Sequence, residues 1–226
     1  MKIYIDSADV KSIKRLNEYF PITGVTTNPT ILVKANKPYM NVLEEIREII
    51  GENKTIFVQA MGDTAADIVE EAQFITEQLS GKVVIKIPVT EEGIKAIKLL
   101  AEKNIPTLAT TIYTASQAVI AAMAGANYVA PYVNRIDNLG GNGVKVTADI
   151  AQLFQLHGLD CEIIAASFKS VKQIHEVFLS GAQSVTASPD LIEKMIDFPA
   201  TALDVAEFKK QWQKAYGENR KTLMNT

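Results

Sequence analysis

Short runs rich in valine, isoleucine and threonine alternate with stretches whose apolar positions recur every three to four residues, and the alternation continues along the chain. The strand-like runs cover residues 2–6, 24–27, 56–60, 83–87, 107–111, 128–132, 162–167 and 184–187. The helical stretches cover 10–19, 39–50, 65–79, 92–103, 115–125, 146–157, 171–180 and 190–196, so each strand has its own helix. Helix starts are signalled by Ser7 and Asp9, Asp63 and Thr64, Thr90 ahead of two glutamates, Thr114, and Ser188-Pro189. Gly51, Gly81, Gly125, Gly158 and Gly181 close several of them. Repeated strand–helix units predict parallel strands joined by right-handed crossovers, and their closed form is the (β/α)8 TIM barrel. An open doubly wound sheet is the alternative. It is disfavoured because the first strand–helix junction lacks Gly-x-Gly-x-x-Gly and because eight regular units exceed the usual five or six. Beyond the eighth helix, Leu203, Val205, Ala206, Phe208, Trp212 and Tyr216 recur at helical spacing with no strand beneath them. The pattern divides the chain into a catalytic barrel, 1–200, and an extra C-terminal helix with its tail, 201–226. That helix packs on the barrel's bottom or, as its Phe and Trp favour, on a neighbouring subunit.

One position breaks the apolar pattern. In Val83-Val84-Ile85-Lys86-Ile87-Pro88, alternation sends Val84 and Lys86 to one face and the remaining apolar residues to the other. An enclosed ammonium is disfavoured, so its pKa falls from about 10.4 towards neutrality and leaves an amine able to attack a carbonyl carbon. A lysine that snorkels out at the strand end is the competing reading of this segment.

Composition narrows the chemistry. The 226 residues are 47% hydrophobic, enough for a sizeable core. A net charge of −3 without a basic run gives no footprint for nucleic acid. The longest apolar run, 118–126, is about half a membrane span. One cysteine, Cys161, excludes an internal disulfide framework and fits a reducing, cytoplasmic setting as a plain core thiol. His157 and His175 lack companions at ligand spacing, so no metal site is expected. The opening Met-Lys-Ile-Tyr-Ile-Asp enters a strand at once, and no leader peptide is expected.

Active sites of (β/α)8 barrels lie at the carboxyl ends of the strands. There the pattern sets Asp6, Thr26 and Asn28, Gln59, Lys86, Thr110, Tyr132 and Ser167. With a free amine among them, the expected chemistry is attack on a ketone, loss of water to an iminium, and making or breaking of the adjacent carbon–carbon bond. The candidates for carrying protons are Asp6, Tyr132 and a water held by Gln59 and Thr110. Asn28 holds substrate hydroxyls or the lysine itself. More modest roles also fit: Asp6 as a helix cap, and Thr26, Thr27 and Asn28 as shapers of the turn before Pro29. Arg135, Ser167 and Lys169 put two cations and a hydroxyl on one rim, suited to a phosphate, although Lys169 also reads as a solvated helix start. The Gly140-Gly141-Asn142-Gly143 stretch lacks the features of a P-loop and reads as a flexible loop or lid.

Together, Asp6, Gly24-Val25-Thr26-Thr27-Asn28-Pro29, Val84-Ile85-Lys86-Ile87-Pro88, Tyr132-Val133-Asn134-Arg135 and Ala166-Ser167-Phe168-Lys169 resemble the small transaldolases and the related fructose-6-phosphate aldolases. The resemblance spans nearly the whole chain. It implies a class I mechanism with Lys86 forming the imine, no metal or organic cofactor, Asp6 and Asn28 beside the lysine, and Arg135 and Ser167 at the sugar phosphate. It also implies homo-oligomers, pentamers pairing into decamers, through the last helix. Transaldolases of this group resemble one another in a glutamate near the water that Gln59 would hold, and often a phenylalanine where Tyr132 stands. Gln59 and Tyr132 therefore point to cleavage of fructose 6-phosphate over transfer between sugar phosphates in the pentose phosphate pathway. Thr186-Ala187-Ser188-Pro189-Asp190 departs from the family pattern by one place at its proline, which leaves room for a related sulfosugar. Two readings from other classes stand beside these: a barrel that binds pyridoxal phosphate on Lys86 without turnover, and a protein in which Lys86 and Asp6 form only a structural ion pair.

Overall fold

The computed structural model describes residues 1–217. Eight strands, β1 (Lys2–Asp6), β2 (Gly24–Thr26), β3 (Thr55–Gln59), β4 (Val83–Pro88), β5 (Thr107–Ile112), β6 (Tyr128–Pro131), β7 (Glu162–Ala165) and β8 (Ser184–Ala187), close into one parallel barrel in sequence order. The closing pair sets Lys2 against Ser184 and Ile5 against Ala187. The helices in chain order are α1 (Val10–Tyr19), α2 (Pro29–Lys34), α3 (Tyr39–Ile50), α4 (Ala65–Gln78), α5 (Glu91–Glu102), α6 (Ala115–Met123), α7 (Val133–Asn138), α8 (Gly143–His157), α9 (Val171–Leu179), α10 (Pro189–Lys194) and α11 (Pro199–Tyr216). The fold is a (β/α)8 TIM barrel with an extra C-terminal helix. None of the described helices is long and apolar enough to cross a membrane.

Strand parity builds two shells. Ile5, Val25, Ile56, Val58, Ile85, Ile87, Ala109, Val129, Ile163 and Val185 are buried beneath the helices. The opposite parity fills the barrel with Tyr4, Phe57, Val84, Leu108, Ala130 and Ile164. The rings of Tyr4 and Phe57 meet edge to face at 5.1 Å, and those of Phe57 and Tyr128 at 5.4 Å. The interior is therefore plugged below, and the next inward residues of most strands, that of β3 excepted, line a cavity above. Gly24 belongs to this tight packing: a Cβ there would lie 2.1 Å from the Thr55 carbonyl oxygen of the adjoining strand.

Local chemistry fixes where helices begin. Asp9, Thr64, Thr90 and Thr114 each accept a backbone N–H of the first turn, and Pro189 opens α10. Two short helices had no clear periodic signal. Asn28 accepts the Ile31 N–H and so caps α2, which fits Pro29 at its first position. The other is α7, which ends just before the glycine stretch, and the last of those glycines opens α8. The Asp137 carboxylate accepts the Gly143 N–H at 2.7 Å and the Gln173 amide at 2.8 Å. A Cβ at Gly143 would fall 2.3 Å from the Val133 carbonyl oxygen. These contacts fix the start of α8 at Gly143, while residues 139–142 form an exposed turn between two helices.

The chain forms two compact units, the barrel Met1–Ile192 and a second beginning at Glu193. The described part of the second unit contains α11, in which no residue is buried. Trp212 and Tyr216 lie with ring centroids 4.5 Å apart on it.

Candidate active site

A cavity of about 370 Å³ opens at the carboxyl ends of the strands and is lined by Asp6, Thr26, Asn28, Lys86, Thr110, Tyr132, Arg135, Ser167 and Lys169, among others. Nine of the ten residues singled out by sequence thus converge on one space. Gln59 does not line it. It stands opposite Lys86 in the β3–β4 ladder, but its side-chain amide donates to Met61 Sδ at 4.0 Å and faces a neighbouring groove. A second hollow of about 450 Å³ shares Asp6 yet runs outward along α1, α2 and α3, away from the amine.

Lys86 occupies the centre because the plug residue Val84 sets its strand's parity, and two residues further along the side chain rises above the plug. It is 6% exposed, and its Nζ donates inward to the Thr27 carbonyl at 2.7 Å, so snorkelling to solvent is ruled out. Burial lowers its pKa from the ordinary 10.5, while the nearby Asp6 charge partly opposes the fall. Asn28 does not hold the lysine. Its Oδ1 is committed to the α2 cap, which leaves its amide nitrogen for a ligand.

Asp6 does not cap α1, a role Asp9 fills. Thr26 Oγ1 donates to Asp6 Oδ1 at 2.8 Å and lies 2.6 Å from Thr186 Oγ1. A hydroxyl has one proton to give, so Thr186 must donate to Thr26, and the two threonines form a relay that fixes the carboxylate. Thr186 went unremarked in the sequence as a site residue. The strand-end rule that singles out Thr26 applies equally to it.

Across the cavity, Thr110 Oγ1 and the Tyr132 phenol are 2.8 Å apart. Burial raises the Tyr132 pKa, and the Thr110 hydroxyl and the Arg135 charge partly offset that rise. The Arg135 guanidinium sits 4.7 Å from the centre of the Tyr132 ring. Its planar fork therefore stands at the rim beside Ser167, Lys169 and Ser188. Ser188 Oγ donates to Asp190 Oδ1 at 2.5 Å, so that hydroxyl offers the cavity an acceptor.

The rim contains a feature with no signal in the sequence. Among the described residues, four that are not glycine have positive φ: Asn36, Asn104, Thr111 (59°) and Ser167 (64°). Asparagine tolerates this region, whereas a β-branched threonine there is an outlier, and such residues cost on the order of 1–3 kcal/mol each. Thr111 is the penultimate residue of β5 and Ser167 follows the end of β7, the two strands that flank β6 and Tyr132.

Among the described residues, no group of three or more His, Cys, Asp or Glu is placed to hold a metal ion. The arrangement combines a neutralisable amine, a fixed carboxylate, a buried phenol and a cationic rim. It can form an imine with a carbonyl compound, move protons around it and hold an anionic tail. A model of the family described as Transaldolase/Fructose-6-phosphate aldolase matches residues 3–225. The members are aldolases and transaldolases that act through a Schiff base on sugar phosphates, and this chain belongs to that family.

Proposed function

We propose that this protein is a class I aldolase that cleaves fructose 6-phosphate to dihydroxyacetone and glyceraldehyde 3-phosphate. The observation that carries the proposal is the sealed Lys86 amine facing a cavity with Arg135, Ser167 and Lys169 on its rim. The neutral amine attacks the ketose C2, and loss of water from the carbinolamine leaves an iminium. Asp6 takes the proton of the C4 hydroxyl as the C3–C4 bond breaks, and glyceraldehyde 3-phosphate departs. The Tyr132 phenol, supported by Thr110, directs a proton to C3 of the enamine, and hydrolysis returns Lys86 with dihydroxyacetone. Thr26 fixes Asp6, Asn28 binds substrate hydroxyls, and Arg135, Ser167 and Lys169 hold the phosphate. The imine chemistry draws on these side chains alone and asks for no cofactor.

Transaldolase is the second reading, and one observation favours it. Gln59 turns towards Met61 and away from the cavity, and an enamine that escapes protonation waits for an aldose acceptor. Incubation with fructose 6-phosphate, with and without erythrose 4-phosphate, separates the two. Glyceraldehyde 3-phosphate formed without the acceptor is the expected result, and formation only with the acceptor establishes the transferase.

The barrel, 1–200, carries the chemistry in this reading, and the segment 201–226 joins the subunits of a pentamer or decamer. Its support is the described part of α11, which buries none of its residues; 218–226 lie outside the described residues. The buried Cys161 thiol, pushed up to about 12 by desolvation, suits a reducing cytoplasm.

A further inference from the structure

We propose that Thr111 is a positioning residue: its left-handed backbone conformation creates the bulge that brings the Thr110 hydroxyl onto the Tyr132 phenol. This rests on the reading of Tyr132 as a proton carrier. In the β5–β6 ladder Ala109 stands opposite Val129, and an unbroken register would set Thr111 opposite Pro131. Ile112 stands there instead, so one extra residue has entered β5. That residue carries the positive φ of 59°. Its Oγ1 donates to the Thr110 carbonyl at 2.6 Å, and the same carbonyl accepts the Val89 N–H from the β4 side at 3.1 Å.

The consequence appears one strand over. Past the bulge, the Tyr132 N–H is accepted by Ile112 O at 3.0 Å, and Tyr132 is bridged on its other side to Ala166. Beyond that bridge Ser167, also at positive φ, accepts the Asn134 N–H at 2.8 Å. Tyr132 is therefore clamped between two residues held in an unfavourable conformation, and a glycine or asparagine would occupy either position at less cost. Strain that persists beside a reacting group, on a clip made by the strained residue's own hydroxyl, fixes geometry that a relaxed strand would lose.

Thr111→Val removes the clip and keeps the branched side chain; Thr111→Asn keeps a residue at ease with positive φ. For Thr111→Val we expect kcat to fall about tenfold with KM within about twofold, a part of what general acid–base catalysis contributes. Thr111→Asn restores kcat to within about threefold of the parent. Arg135, Asp6 and Tyr113 are the titratable groups acting on Tyr132, and none is altered by these changes. Ultraviolet titration, with Tyr132→Phe as baseline, should therefore show Tyr132 ionising at higher pH in Thr111→Val, because the Thr110 donor is lost. This readout needs no substrate. If Thr111→Val fails to fold, Thr111→Ala, which lacks the hydroxyl and is not at ease with positive φ, carries the same expectations. An unmoved Tyr132 titration overturns the proposal. A moved titration in a protein inactive on fructose 6-phosphate overturns the substrate reading and leaves the positioning role standing.

Discussion

Lys86 above the barrel plug and Arg47 on α3 are equally sealed cations, each 6% exposed, yet their surroundings differ. The Arg47 guanidinium donates to the carbonyls of Gly51, Lys54 and Lys82 at 2.7–2.8 Å, tying together the segments that lead into β3 and β4. Lys86 meets a single carbonyl and the field of Asp6. Burial lowers the pKa of both, from 12.5 and 10.5, but a guanidinium keeps its proton in proteins whereas an ammonium can give it up. A buried cation surrounded by acceptors holds a fold together. One left under-coordinated beside an open cavity is available for chemistry.

Substitution should separate the two roles. Lys86→Met is expected to abolish aldol cleavage and to leave the melting temperature unchanged or raised, since an apolar isostere of a poorly compensated buried charge is often stabilising. Residual turnover in assays of the purified variant would erase the distinction. Arg47→Met should do the reverse. It takes a donor from three partly buried carbonyls, of which that of Lys82 keeps the Ile56 N–H, and the other two at about 1–3 kcal/mol each lower the melting temperature on the order of 10 °C while activity per folded molecule stays near that of the parent. A calorimetric scan that shows no loss would mean the carbonyls find other donors.

The smallest effect is in the pH dependence of stability. Because the folded-state pKa of Lys86 lies below 10.5, the unfolded chain binds more protons between the folded pKa and 10.5. The parent therefore gains stability as pH rises through that window, and Lys86→Met lacks this gain. The stability of the parent relative to Lys86→Met, read from denaturant melts, should therefore be greater at about pH 10 than at about pH 7. A constant difference would place the folded pKa at its ordinary value.

Periodicity made the barrel legible because every strand carries its own apolar run. Parity then directed Lys86, Asp6, Thr26, Thr110 and Tyr132 into the cavity. What escaped depends on backbone geometry. The bulge at Thr111 has no compositional mark, since a β-branched threonine is not expected at positive φ. The short helix α7 precedes a stretch whose glycines read as flexible, although at Gly143 the glycine serves close packing against Val133. Gln59 shows the limit of strand parity: its Cα stands opposite that of Lys86, while its side chain turns aside to Met61.

Borohydride reduction in the presence of fructose 6-phosphate, followed by peptide mass mapping, tests the central claim most directly. The account predicts a reduced adduct confined to the peptide containing Lys86, with activity lost in proportion to labelling. An adduct on another lysine, or full activity after labelling of Lys86, would contradict it.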